Sequence, residues 1–108
     1  MAENKYAGMN LEELRSQIDS VDRNILDLFR DRMVLSAEIA KVKKANGLEI
    51  IDVEREKAKL DMIAKSVEDE LSGYTSKLYL TLADLSKSYQ SKLFDVDMNE
   101  AEYREDDI

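Results

Sequence analysis

The residue best suited to chemistry is Arg32, a guanidinium placed within an apolar seam. Residues 11–46 contain no Gly or Pro, and their apolar residues recur at alternating steps of three and four, which is typical of a long helix packed lengthwise against other helices. The position between Leu28 and Leu35 is taken by Arg32. A guanidinium keeps its proton and is costly to desolvate alone, so Arg32 needs an anion beside it. The seam consists of Leu11, Leu14, Ile18, Val21, Ile25, Leu28, Leu35, Ile39 and Val42.

Two further candidate cations, Lys43 and Arg15, lie on the same predicted helix. Lys43 follows Arg32 by eleven residues, which is three turns, so both project from one face with backbones about 16 Å apart. Their long side chains could close on a small anion. Arg15 lies about 25 Å from Arg32 and is rotated by about 100°, so the two cannot grip one small ligand within a single chain. A functional Arg15 would therefore serve a site built with another chain.

The other candidate residues lie on two later helices. Glu56 occupies an apolar position in the second predicted helix, whose start Asp52 can cap and whose first turn carries Arg55. Ser86 and Gln90 are four residues apart on the third predicted helix and share one face. Cations and amides thus border apolar seams on all three predicted helices, and two charges, Arg32 and Glu56, lie inside those seams.

Each candidate also has an ordinary structural interpretation. Arg32 and Glu56 could form a buried ion pair. Arg15 could pair with Glu12 or Asp19 on the surface. The remaining candidates could be a helix cap, exposed charges or half-exposed polar side chains: Asp52, Lys43, Arg55, Ser86 and Gln90.

Composition limits the chemistry further. The chain of 108 residues contains no Cys, His, Trp or Pro, so it offers no thiol nucleophile, imidazole base, disulfide or Cys/His metal site. An enzyme of this composition works with Arg, Lys, carboxylates, hydroxyls and amides. A single small domain of this length would gain from association with a second copy.

The net charge of −8 is concentrated at the end of the chain. Residues 95–108 hold seven acidic residues and one Arg, a net of −6, which leaves 17 acidic and 15 basic residues elsewhere. We expect an N-terminal extension over residues 1–9, a folded domain over 10–94 and a disordered acidic tail over 95–108. Without a basic patch, an apolar leader or a membrane-length apolar run, we expect no nucleic-acid or membrane partner and a cytoplasmic location.

The periodicity predicts an all-α fold with three helices and no strands. Asn10 followed by Glu13 resembles a capping box for the first helix, and Gly47 suits its left-handed end. A turn is expected over residues 68–73. The first helix would be about 54 Å long, which favours a helix shared across an assembly. The predicted helices are residues 11–46, 52–66 and 74 or 75 to 94.

Ten single residues and pairs form an ordered set along the chain: Leu14-Arg15, Ile18-Asp19, Val21-Asp22, Ile25-Leu26, Leu28, Arg32, Ala40, Lys43, Ile51-Asp52 and Arg55-Glu56. This set resembles the all-helical AroQ class of chorismate mutases. The resemblance covers about residues 11–90 and implies three helices per chain intertwined with a second chain in a homodimer. The first helix would span the dimer, and each of two sites would take one arginine from the partner.

The resemblance implies a role for each candidate in binding chorismate. Arg32 and the partner's Arg15 would bind the two substrate carboxylates. Lys43 would contact a carboxylate and the ether oxygen, and Gln90 would contact the same ether oxygen. Lys43, Gln90 and Arg32 would thus be the catalytic residues.

The remaining candidates would surround the substrate ring. Glu56 and the backbone at Asp52 would hold the ring hydroxyl, and Arg55 and Ser86 would complete the polar shell. The resemblance implies no cofactor and no metal. The chain departs from the family in its acidic tail and in lacking the proline often found before the position of Asp52.

The implied reaction is the intramolecular [3,3] rearrangement of chorismate to prephenate in aromatic amino-acid biosynthesis. This reaction requires no nucleophile and no obligatory proton transfer, so it suits a chain without His or Cys. Two alternatives remain open from the sequence. One is an isochorismate-pyruvate lyase of the same fold, and the other is a non-catalytic dimeric helical module.

Overall fold

The computed structural model describes residues 4–94, which form three α-helices without strands. The helices are α1 (Leu11–Ala45), α2 (Val53–Ala64) and α3 (Asp69–Phe94). The predicted all-α class and the long first helix are confirmed. The chain divides into two compact units, Met1–Arg32 and Met33–Ile108. The predicted acidic tail, residues 95–108, lies outside the described residues.

The ends of α1 follow from local hydrogen bonds that the sequence predicts. The Asn10 side chain accepts a hydrogen bond from the backbone N–H of Glu13 at 2.8 Å, so the predicted N-cap is confirmed. At the other end Gly47 has φ +67°, a left-handed conformation that glycine adopts without a Cβ clash. The N–H of Leu48 then donates to the carbonyl of Lys43 at 2.8 Å, and the N–H of Gly47 donates to the carbonyl of Lys44 at 3.2 Å. This pair of bonds is a Schellman motif, which satisfies two terminal carbonyls of α1.

The start of α3 differs from the sequence prediction. The turn expected over residues 68–73 was wrong, because α3 already begins at Asp69 and includes Gly73. The carboxylates of Asp69 and Glu70 favour this start, since they lie at the positive end of the helix dipole. The Ser72 hydroxyl also donates to the carbonyl of Ala64 at 3.0 Å, which links the first turn of α3 to the end of α2. A helical glycine costs only about 1 kcal/mol relative to alanine, and these contacts can offset that cost.

The face of α3 that is buried within the chain is not the apolar seam that its spacing predicts, which consists of Leu78, Leu82, Leu85 and Tyr89. In the second unit α2 packs against α3, and the buried residues of α3 are small or polar apart from Tyr79. Two residues of the predicted α3 seam, Leu78 and Tyr89, are exposed instead. The predicted α3 seam is therefore only partly covered within the single chain. The buried residues are Ser36 and Ala40 on α1, with Tyr79, Ala83, Ser86, Lys87, Ser88 and Gln90 on α3.

The seam of α1 is also solvent-exposed in the single chain. Leu28 is 67% exposed and Ile18 is 60% exposed, and every other seam residue except Leu14 is exposed as well. An apolar row of this length is unusual on the surface of a monomer and is typical of a protein interface. No helix within residues 4–94 has the length and apolar character needed to cross a membrane.

Candidate active site

A buried polar cluster joins α1 to α3 in the second unit. The side-chain amide of Gln90 donates to the backbone carbonyl of Ser36 with a distance of 2.8 Å from Nε2 to oxygen. The Ser36 hydroxyl donates to the Ser86 hydroxyl at 3.0 Å. All three residues are 8% exposed. The two α3 residues that the sequence placed on one face, Ser86 and Gln90, are thus held by the same residue of α1.

This contact determines the orientation of the Gln90 amide. A backbone carbonyl can only accept a hydrogen bond, so the group of Gln90 that faces Ser36 must be its NH2. That NH2 carries two hydrogens, and the carbonyl of Ser36 uses one of them. The second hydrogen can serve a ligand. Gln90 is therefore a buried hydrogen-bond donor whose direction is set by the main chain of α1.

Ser36 was missed by the sequence reasoning. The signal that could have found it is the pair of small residues Ser36 and Ala40, which are four apart and therefore share one face of α1. Both are buried in the structure. Small side chains at these positions let the α1 backbone come within hydrogen-bond reach of the Gln90 side chain.

Lys43 lies at the edge of an open pocket at the C-terminal end of α1. Its ammonium donates to the carbonyl of Ile50 at 3.1 Å, so the side chain folds over the connection between α1 and α2. An ammonium has three hydrogens, so this bond leaves others for an anion or an ether oxygen. The pocket has a volume of about 460 Å³, and its lining residues are Lys43, Leu48, Glu49, Ile51, Asp52, Val53 and Glu54.

The start of α2 carries three of the predicted residues. Asp52 caps the helix, since its side chain accepts from the N–H of Arg55 at 3.0 Å, and it also lines the pocket beside Lys43. Arg55 is exposed, whereas Glu56 is half-buried. The carbonyl of Asp52 accepts from the N–H of Glu56 at 3.2 Å, as expected for the first turn of a helix.

The charged partner of Glu56 is one that the sequence reasoning missed. Glu56 Oε2 lies 3.3 Å from Nζ of Lys87 on α3, a residue that had not been singled out. An ion pair of Glu56 with Arg32 was considered from the sequence, but not one with Lys87. Helical spacing could have indicated Lys87, because it is four residues after Ala83 and three before Gln90 and so lies next to both on α3. Both neighbours are buried in the structure.

The two remaining arginines belong to the first unit. Arg15 is exposed and Arg32 is half-buried, and both lie in α1. Their separation of 17 residues along this helix corresponds to about 25 Å. The two guanidinium groups therefore do not meet on one small ligand within a single chain.

Comparison with known proteins points to one family in each case that matches. The family model described as chorismate mutase type II matches residues 14–91. The chorismate mutase of Methanocaldococcus jannaschii is 33% identical over 93 residues, which cover 82% of this chain and 92% of that protein. No solved structure matches this chain.

Two longer relatives match over a part of their length. The T-protein of Haemophilus influenzae is 43% identical over 68 residues, which cover 63% of this chain and 18% of that protein. The bifunctional chorismate mutase/prephenate dehydratase of Enterobacter agglomerans is 31% identical over 88 residues, covering 80% of this chain and 23% of that protein. The chain thus spans about a fifth of these relatives, and the family model covers most of its own length. It belongs to the chorismate mutase type II family.

Proposed function

We propose that this chain converts chorismate to prephenate by a [3,3] rearrangement, the step that leads toward phenylalanine and tyrosine. The observation that carries the proposal is the family match over residues 14–91, a stretch that contains all eight predicted site residues. The relative from Methanocaldococcus jannaschii, which is matched over 92% of its length, is named a chorismate mutase.

The proposed mechanism relies on orientation and on charge at the ether oxygen. As the C–O bond stretches, negative charge develops on that oxygen, and donors aimed at it stabilise the transition state more than the ground state. We assign this task to the ammonium of Lys43 and the amide of Gln90. The bond from Gln90 to the Ser36 carbonyl supports the assignment, since it fixes the orientation of a buried amide whose NH2 has a second hydrogen.

The proposed binding contacts hold the substrate in a reactive chair-like geometry. Arg32 and the partner's Arg15 bind the two carboxylates. Glu56 and the backbone at Asp52 hold the ring hydroxyl, while Arg55 and Ser86 complete the polar surface. Such orientation and electrostatics can supply a rate gain on the order of 10⁶, or about 8 kcal/mol.

We further propose that the working unit is a homodimer whose sites are shared between chains. Arg15 and Arg32 are about 25 Å apart along α1, so a site that uses both must take one of them from a second copy. The exposed apolar seam of α1 supports this arrangement, because it offers a long surface for the helices of another chain.

The test is to offer the purified protein chorismate and isochorismate separately. The proposal predicts prephenate from chorismate at a rate far above that of buffer alone. Salicylate from isochorismate without prephenate would instead identify a lyase. A lack of turnover with both substrates would favour a non-catalytic helical module.

A further inference from the structure

We propose that Lys87 is a positioning residue that holds the carboxylate of Glu56 ready for the substrate's ring hydroxyl. The inference rests on the proposed function and deepens it. Nζ of Lys87 lies 3.3 Å from Oε2 of Glu56 on α2 and 3.5 Å from Oδ1 of Asp84 on its own helix. The Lys87 side chain is only 11% exposed.

The position of Lys87 places this ion pair beside the candidate site. A lysine is seldom buried unless its charge is compensated. The carboxylates of Glu56 and Asp84 compensate the charge of Lys87. Lys87 directly follows Ser86 and is three residues before Gln90, so all three lie on neighbouring parts of the α3 surface. All three are buried in the single chain.

The contact can improve substrate binding in two ways. Lys87 contacts Oε2 of Glu56, and a carboxylate has a second oxygen that can accept the ring O–H while the first is held. The ammonium also offsets the negative charge of Glu56, which would otherwise repel a substrate with two carboxylates. The ring hydroxyl is not part of the breaking bond, so its contact should contribute similarly to the ground state and the transition state. Removing Lys87 should therefore raise KM more than it lowers kcat.

The experiment compares kcat and KM for chorismate in wild type, Lys87→Met, Lys87→Arg, Glu56→Gln and the Lys87→Met/Glu56→Gln double variant. Methionine keeps the length of the side chain without its charge. The matched control is Lys41→Met, which removes an exposed ion pair with Glu38 on α1. Circular dichroism and thermal melts confirm that each variant is folded.

Lys87→Met should raise KM on the order of tenfold, as expected for loss of a charge-assisted contact. Its kcat should stay within about twofold of wild type, Lys87→Arg should restore KM, and Lys41→Met should resemble wild type. In the Glu56→Gln background the Lys87 substitution should change KM by less than about twofold, because the group that it positions is gone. If Lys87→Met does not fold, Lys87→Gln is measured against the same criteria.

An unchanged KM in a folded, active Lys87→Met protein would overturn the role of Lys87 alone. The role of Lys87 would also be overturned if the KM effects of the Lys87 and Glu56 substitutions multiplied in the double variant, since the effects of independent residues multiply in this way. Absence of chorismate turnover by the wild-type protein would instead overturn the proposed function, and this role with it.

Discussion

Replacing Gln90 by Glu should make the activity strongly dependent on pH. The wild-type amide donates its hydrogen bonds at any pH near neutrality, so we expect little pH dependence from this position. A carboxylate can donate to the ether oxygen only when it is protonated. The Glu side chain would also be 8% exposed and would face the Ser36 carbonyl, which accepts a bond from the amide at 2.8 Å. Burial and this oxygen neighbour both favour the protonated form and should raise the pKa of the new carboxyl group.

The expected loss follows from the protonated fraction. With an ordinary pKa of about 4.3, about one molecule in 500 would be protonated at pH 7. If burial raised the pKa by about two units, the fraction would be about one in six. The loss of kcat at pH 7 should thus lie between about sixfold and 500-fold. Above the pKa, kcat should fall about tenfold for each pH unit.

The assay is chorismate consumption at saturating substrate between about pH 5 and 8, with thermal melts at each pH. The melts are needed because the pKa of the new carboxyl group should be higher in the folded state than in the unfolded state. The free energy of unfolding should therefore fall as the pH rises from the unfolded-state pKa through the folded-state pKa. Gln90→Leu is the control, since it removes the amide without adding a titrating group and should lose activity equally at every pH. A folded Gln90→Glu protein with a flat pH profile would refute the role of Gln90 as a donor to the ether oxygen.

Two further substitutions test Lys43 and Asp52. Lys43→Ala should lower kcat on the order of 10²-fold or more while circular dichroism shows a retained fold, and a near-wild-type kcat would exclude the proposed role. Asp52→Ala removes the acceptor for the Arg55 N–H and should lower the free energy of unfolding by about 1 kcal/mol. Thermal melts measure this loss against Asp61→Ala, which changes an exposed carboxylate within α2, and equal melting temperatures would contradict the capping role.

The sequence predicted the helices well where local chemistry decides them. Asn10, Gly47 and Asp52 act through hydrogen bonds or backbone conformations that span a few residues, so residue type and spacing are sufficient. The start of α3 was predicted wrongly, because Gly73 lies within the helix instead of ending a turn before it. The contact from Ser72 to Ala64 is tertiary, and no local pattern indicates it.

The candidate site residues stay predictions, and the sequence did not indicate the contacts among them. Ser86 and Gln90 could be placed on one face because they are four residues apart. The contacts of the Ser36 carbonyl and the Lys87 ammonium depend on how α1, α2 and α3 pack, which periodicity does not specify. The apolar spacing of α3 also does not indicate that a mostly polar face is the one buried in the single chain.

The most direct test of a shared chorismate site is to mix Arg15→Ala and Arg32→Ala chains, each of which should be inactive alone. Each heterodimer has one site with both arginines intact and one site with neither. Random one-to-one exchange should therefore restore about a quarter of wild-type activity, since half of the dimers are mixed and half of their sites are complete. No recovery of prephenate formation in verified heterodimers would contradict the shared site.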